Sequence, residues 1–241
     1  MEQNLYMAIL VYFLLGAAAF AYISRNKDRN ARRAIWTKYI SYLLIIHTLF
    51  ASIYFGPHIF TFVGAIIVTA GVYELIRTHL THGGQRSRMF LASSMLLYLV
   101  FAFGFLRYTS LEKELLYFVF FIVTVFDAFS QISGQLIGGT KLWPSISPAK
   151  TISGTVGGGT LALITASVLA GIIGTSLIFA LFFALIIVIF ALSGDLLASF
   201  YKRHYGVKDF SHFIPGHGGF LDRFDSLIPG GAAMYIINCL L

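Results

Sequence analysis

The chain has 241 residues, 58% of them hydrophobic and only 11% charged, less than half the charged content of an ordinary soluble domain. Its formal charge of +7 comes from 17 Lys and Arg against 10 Asp and Glu, an excess that a membrane protein places on cytoplasmic loops beside anionic headgroups, so nucleic-acid binding is the weaker reading. Cys239 is the only cysteine, which excludes an intramolecular disulfide framework, a thiolate metal site and dithiol redox chemistry.

Apolar stretches near the ~20 residues needed to cross a bilayer run over 5–24, 39–55, 58–76, 89–106, 115–133, 159–174, 176–194 and 226–241. They predict an all-α polytopic membrane protein with about eight transmembrane helices. The sixth and last are short or glycine-rich, so one of them could be re-entrant or broken. The flank before the first stretch holds Glu2 and no Lys or Arg, the reverse of a secretory signal, and reads as a retained anchor.

Directly after it come Arg25, Lys27, Arg29, Arg32, Arg33 and Lys38, which place that loop in the cytoplasm and the N-terminus outside. Alternation then puts Arg77, Arg86 and Arg88, Lys141 and Lys150, and Lys202, Arg203, Lys208 and Arg223 on the same side, with only Arg107 and Lys113 opposite. Orientation is set by the first loop alone, so the agreement of the rest checks the span count. The sequence shows no internal repeat and no linker. It reads as a single integral membrane domain over 1–241, divisible into N-terminal helices (1–126) and a candidate catalytic region (127–241).

The chemistry concentrates in 193–225, read as a polar loop carrying both signs of charge. Asp195 follows an uninterrupted apolar run, at a depth where an ionised carboxylate is costly unless a cation or partner holds it. Asp222 and Asp225 are three apart, one face of a helix entering the last span, a poor arrangement without a counter-charge. Between them and Asp195 lies Pro215-Gly216-His217-Gly218-Gly219, whose glycines let a phosphate approach the backbone amides. With Lys202, Arg203, Lys208 and Arg223 beside three carboxylates, the segment suits a metal-chelated polyphosphate, and all-oxygen donors favour a hard ion such as Mg2+.

A second polar segment, 147–159, contains Ser147, Lys150, Thr151 and a run of glycines before a helix, a second candidate phosphate cradle whose ordinary reading is a flexible connector. Asp127 and Glu74 lie near the cytoplasmic ends of the fifth and third spans. Each is a candidate functional acid or one whose head reaches water. Among the histidines only His217 stands out, and no pair has zinc-helix spacing.

On these residues the chain resembles the phosphatidate cytidylyltransferase family. The family signature is met by Ser199, Lys202-Arg203, Lys208-Asp209, Pro215 to Gly219 and Asp222-Arg223-Phe224-Asp225. A second motif is met by Ser147, Pro148, Lys150, Thr151, Gly154, Gly157 and Gly158. Motif-level resemblance runs over about 127–228. The departures are Ala198 where the family usually has an acid, Asp127-Ala128-Phe129-Ser130-Gln131 in place of its Asp-(Ser/Thr)-Gly-Ala-Tyr, and Gln135 and Gly139 where basic residues are common.

The resemblance implies transfer of CMP from CTP to phosphatidic acid, giving CDP-diacylglycerol and pyrophosphate in the cytoplasmic membrane, with the active site facing the cytoplasm. It implies that Asp195, Asp222 and Asp225, with Asp127 as a further candidate, hold Mg2+ and a monovalent cation beside it. Lys202 and Arg223 would act with these acids in catalysis. Ser147, Lys150, Thr151, Ser199, Arg203, Lys208, His217, Gly218 and Gly219 would bind the substrates. The alternatives are a nucleotidyltransferase acting on a polyprenyl or ether-lipid phosphate and a non-catalytic ion-coupled transporter. Membrane lipids are the expected surroundings, no nucleic acid is expected, and a homo-oligomer is left open.

Overall fold

The computed structural model describes residues 2–83, 88–214 and 218–240. Arg86, and Pro215, Gly216 and His217 of the glycine-rich turn, lie outside the described residues. Eight apolar helices occupy the expected positions: α1 (Glu2–Ser24), α2 (Arg29–Phe55), α3 (Pro57–His82), α4 (Arg88–Tyr108), α5 (Lys113–Ile137), α6 (Ile152–Leu169), α7 (Leu177–His204) and α9 (Leu227–Leu240). Between the last two, α8 (Leu221–Phe224) is a single turn. Before α6, β1 (Lys141–Trp143) and β2 (Ser147–Thr151) form an antiparallel hairpin with Lys141 opposite Thr151.

Seven of these helices are long and apolar enough to cross a membrane. The 14 residues of α9 extend only ~21 Å at 1.5 Å per residue, short of the ~30 Å hydrocarbon layer. This is an all-α polytopic membrane protein apart from the small hairpin.

Local chemistry sets the helix ends. The Asp28 carboxylate caps α2 by accepting from the amides of Asn30 (3.2 Å) and Ala31 (3.4 Å). Gly56, at φ 125°, makes the sharp turn between α2 and α3, and Pro57 starts α3 at a position that needs no amide donor.

Helix α5 forms the interior: every residue from Leu116 to Phe126 except Thr124 is buried. It lies along α6, while α9 packs on α4 and α7 with Leu227 to Met234 all buried. The seat of α9 is close because Gly104 faces Ala232 and Gly231 faces Phe105 and Tyr108, where a Cβ would collide.

Two expectations are corrected. Residues 193–204 are not loop: α7 continues to His204, because Leu196, Leu197, Ala198, Lys202 and Arg203 all support helix. Its 28 residues span ~42 Å, more than the hydrocarbon layer, so the turns carrying Asp195 to His204 reach the interface. Nor do the glycines of the second segment form a loop. Gly154, Gly157 and Gly158 lie in the first turns of α6 and face the Ser130 carbonyl, the Ser133 side chain and the Phe126 carbonyl of α5, respectively. They are small so that α5 and α6 can touch.

Candidate active site

The face of α7 that presents Asp195 also presents Ser199 and Lys202, at i, i+4 and i+7. Ser199 Oγ donates to Asp195 Oδ1 at 3.4 Å. Lys150, brought from β2, forms an ion pair with Asp195. On the opposite wall, Ser226 Oγ donates to Asp127 Oδ1 of α5 at 3.2 Å. The hairpin, α5, α7 and the junction of α8 with α9 therefore converge on one set of charges.

What brings α7 against that junction is the lack of a side chain at Gly194. A Cβ there would run into the carbonyl of Asp225 and the ring of Pro229, so the two segments meet main chain to main chain. Burial pushes the Asp225 carboxyl well above the usual carboxylate range, and the charges of Asp195 and Asp127 push it the same way, opposed by Lys202 and Arg223. The Nε of Arg223 is buried with no hydrogen-bond partner among the described residues. An acid that resists ionisation, facing two others beside a guanidinium with a free donor, forms a site suited to a cation and a phosphate.

Asp222 is occupied differently from the expectation. Its carboxylate accepts from Lys202 Nζ at 2.5 Å and from the amides of Phe210 at 2.9 Å and Gly219 at 2.8 Å. Asp222 and Asp225 stand three apart on one helical turn, as expected, the Asp225 amide donating to the Leu221 carbonyl at 3.0 Å, but that turn is not continuous with α9 and the Asp222 carboxylate is engaged by Lys202 and two amides. Asp222 ties α7 to the loop that follows it. The acids whose charges act on one another are Asp127, Asp195 and Asp225. Their all-oxygen chemistry suits a hard divalent ion, although no three of the described His, Cys, Asp or Glu side chains already form a metal cage.

The remaining candidates are dispersed. Arg203 donates to the carbonyls of Ile146 (3.2 Å) and Val207 (2.8 Å), linking the hairpin to the end of α7. Lys208 is exposed beyond α7, and Ser147 begins β2 opposite Trp143. Thr151 caps α6, accepting from the Gly154 amide at 3.0 Å. Gly218 has φ +85°, a conformation side chains avoid, and the missing Cβ of Gly219 leaves room for the Glu74 carboxylate. His217 lies outside the described residues.

Glu74, read from sequence only as a candidate functional acid or one whose head reaches water, is 4% exposed and bonded to both Ser211 and the start of α8. The signal was an acid within an apolar run, but its partners lie so far along the chain that spacing could not reveal them. Sequence reasoning missed an apolar groove of about 270 Å³ between α4 and α7, whose lining includes Leu97, Tyr98, Phe101, Leu197, Ala198 and, as its charged member, Asp225.

A phosphatidate cytidylyltransferase of Staphylococcus haemolyticus is 41% identical over 143 residues, covering 57% of this chain and 54% of that protein. One from Staphylococcus saprophyticus is 44% identical over 128 residues (52% of this chain, 47% of that protein). One from Bacillus subtilis is 39% identical over 129 residues (52% and 48%). The chain thus spans about half the length of the curated relatives it matches. The model of the Cytidylyltransferase family matches residues 2–241, including the N-terminal helices that carry no recognisable motif. With a match of that extent rather than of one motif, the chain belongs to the cytidylyltransferase family.

Proposed function

We propose that this chain transfers the cytidylyl group of CTP to phosphatidic acid, forming CDP-diacylglycerol and releasing pyrophosphate. The observation that carries this reading is the meeting of two environments at Asp225: a cluster of acids and cations on one side and the apolar groove on the other. A water-soluble nucleotide can reach the charges while a lipid lays its tails along the groove. The names of the matched relatives support the same substrates.

In the reaction a phosphate oxygen of the lipid attacks the α-phosphorus of CTP, and the bond from that phosphorus to the oxygen bridging the β-phosphate breaks. Pyrophosphate leaves with the bonding pair. The attacking monoester is largely ionised near neutral pH, its second pKa being about 6, so no dedicated base is needed. Lys150 and Arg223 orient the phosphates and offset the charge that develops on them. Asp225, Asp195 and Asp127 would hold Mg2+, whose contribution when bound is to neutralise phosphate charge. Lys202, held by Asp222, acts on the site through that pair.

The orientation that supports this reading places the Arg25–Lys38 cations, Lys150 and the end of α7 on the cytoplasmic side, where CTP is found. The test is an assay of the purified chain with labelled CTP, Mg2+ and a panel of phosphatidic acid, polyprenyl phosphate and ether-lipid phosphate. Formation of labelled CDP-diacylglycerol is expected. Labelling of only another lipid phosphate would move the assignment to that lipid, and no labelling would overturn it.

A further inference from the structure

Glu74 is a carboxylate on a membrane helix with almost no exposure to water, at 4%, and its hydrogen bonds among the described residues all run to one segment of the chain. Oε1 accepts from Ser211 Oγ at 2.6 Å and from the Phe220 amide at 3.0 Å, and Oε2 accepts from the Leu221 amide at 2.7 Å. Ser211 and Phe220 lie on either side of the glycine-rich turn in the signature loop that joins α7 to α8. Across that turn the Ile214 amide donates to the Gly218 carbonyl at 2.8 Å. One side chain therefore clasps both flanks of the turn and the first residue of α8.

We propose that Glu74 is a positioning residue, fixing the signature loop and the acids and arginine that follow it relative to the membrane helices. Burying a carboxylate is costly, and a helix that merely packed on this loop would do so with an apolar side chain. What a carboxylate adds is two acceptor oxygens at fixed separation, each directed at a particular donor. The glycine at position 219 has its reason here, because a Cβ would strike the Glu74 carboxylate. Glu74 sits on α3, far in sequence from the two motifs, and links the N-terminal helices to the site, beside the bond from the Tyr201 hydroxyl to the Leu75 carbonyl at 2.8 Å. From Leu221 one turn leads to Arg223 and Asp225, so a displacement at the clasp is passed to the charges that face the substrates.

The inference rests on the proposed cytidylyl transfer for its kinetic arm and on amide exchange for an arm independent of it. In Glu74→Gln the amide group sets a donor against either Leu221 N–H or Phe220 N–H. In Glu74→Asp the charge remains but the side chain is one methylene too short. Both variants should lower kcat per folded molecule by roughly ten- to a hundred-fold, the span expected for lost hydrogen bonds to a charged group, with KM for CTP and for lipid changed less than threefold. Ser211→Ala, which removes one bond and leaves the carboxylate in place, should fold and lose a few-fold in kcat alone.

Hydrogen exchange followed by mass spectrometry should show the peptide covering Phe220 to Asp225 exchanging faster in Glu74→Gln than in the unaltered chain. An unaltered kcat in well-folded Glu74→Gln, with only the melting temperature lowered, would overturn the positioning role, as would a rise confined to KM. If the unaltered chain proves inactive on every lipid phosphate, the proposed reaction falls. The exchange result then decides the clasp, and unchanged exchange in Glu74→Gln would overturn it.

Discussion

Lys202 and Asp222 form a buried ion pair, with 2.5 Å between Nζ and Oδ1, that joins the last turns of α7 to the single turn of α8. The other Asp222 oxygen accepts from two backbone amides, so both oxygens are engaged within the protein. Removing one partner of such a pair leaves a buried charge uncompensated, at a cost of about 3–5 kcal/mol. Asp222→Asn and Lys202→Met should therefore lower the melting temperature in detergent and the folded yield, with activity lost as a consequence. The double variant should recover part of that loss, because no buried charge is left unpaired and the asparagine carbonyl can still accept from the Phe210 and Gly219 amides. Near-native melting of Asp222→Asn would show that the pair contributes little to the fold.

Asp225 should behave in the opposite way. Asp225→Asn removes a carboxylate that burial and its neighbours already keep from ionising, so turnover should fall by at least a hundredfold while the fold is retained. The pH dependence carries the same sign. A carboxyl whose folded pKa lies above its ordinary 3.8 binds protons more readily in the folded state, so with divalent cations chelated, stability should decline as pH rises from about 4 through the folded pKa. In Asp225→Asn that decline should be reduced, as measured by thermal melts across the pH range. An identical slope in both proteins would remove Asp225 as its source.

The groove gives a test of how lipid is selected. Ala198 lines it with Leu97 and Leu197, one turn along α7 from both Asp195 and Lys202. Ala198→Phe and Leu97→Trp should raise KM for long-chain lipid phosphate by roughly tenfold, leave KM for CTP unchanged, and spare a short-chain water-dispersed analogue. Equal losses with long and short chains would place the lipid elsewhere.

Orientation can be tested with single cysteines in a Cys239→Ser background, since Cys239 is exposed and would otherwise react. Asn26 and Ser110 are exposed in loops at opposite ends of their helices. Asn26→Cys should be labelled only from the cytoplasmic side and Ser110→Cys only from outside, by impermeant maleimide on intact cells and inverted vesicles. The reverse pattern would put the candidate site on the wrong side for CTP.

The membrane helices were legible because a bilayer imposes length and composition on each span separately; Gly56-Pro57 even marked the turn between α2 and α3. Asp195 was legible as a charge too costly to leave unheld at its depth, Asp225 through its spacing from Asp222, and Lys150 through its place before a run of glycines. Lying outside that kind of reading were contacts between distant parts of the chain. Glu74 meets the Phe220 and Leu221 amides 146 and 147 positions away, and no local pattern announces such a partner. The glycines of α6 misled for a related reason. Gly154, Gly157 and Gly158 look like a loop until α5 is laid against them, and only then does their spacing read as a contact surface.

The main-chain contact at Gly194 has a consequence for how the site is loaded. Asp195 and Asp225 are adjacent because the backbones of α7 and the α8–α9 junction touch, and that contact persists whether or not the two carboxylates repel each other. The proximity keeps Asp225 protonated once the protein has folded, before any substrate arrives. A positive ion entering the site can take the place of that proton without either segment having to move, so binding needs no closing motion to develop. Loading should then be governed by how quickly ions and nucleotide reach the interface from solution, and the long stiff α7 serves as a fixed wall against which they settle.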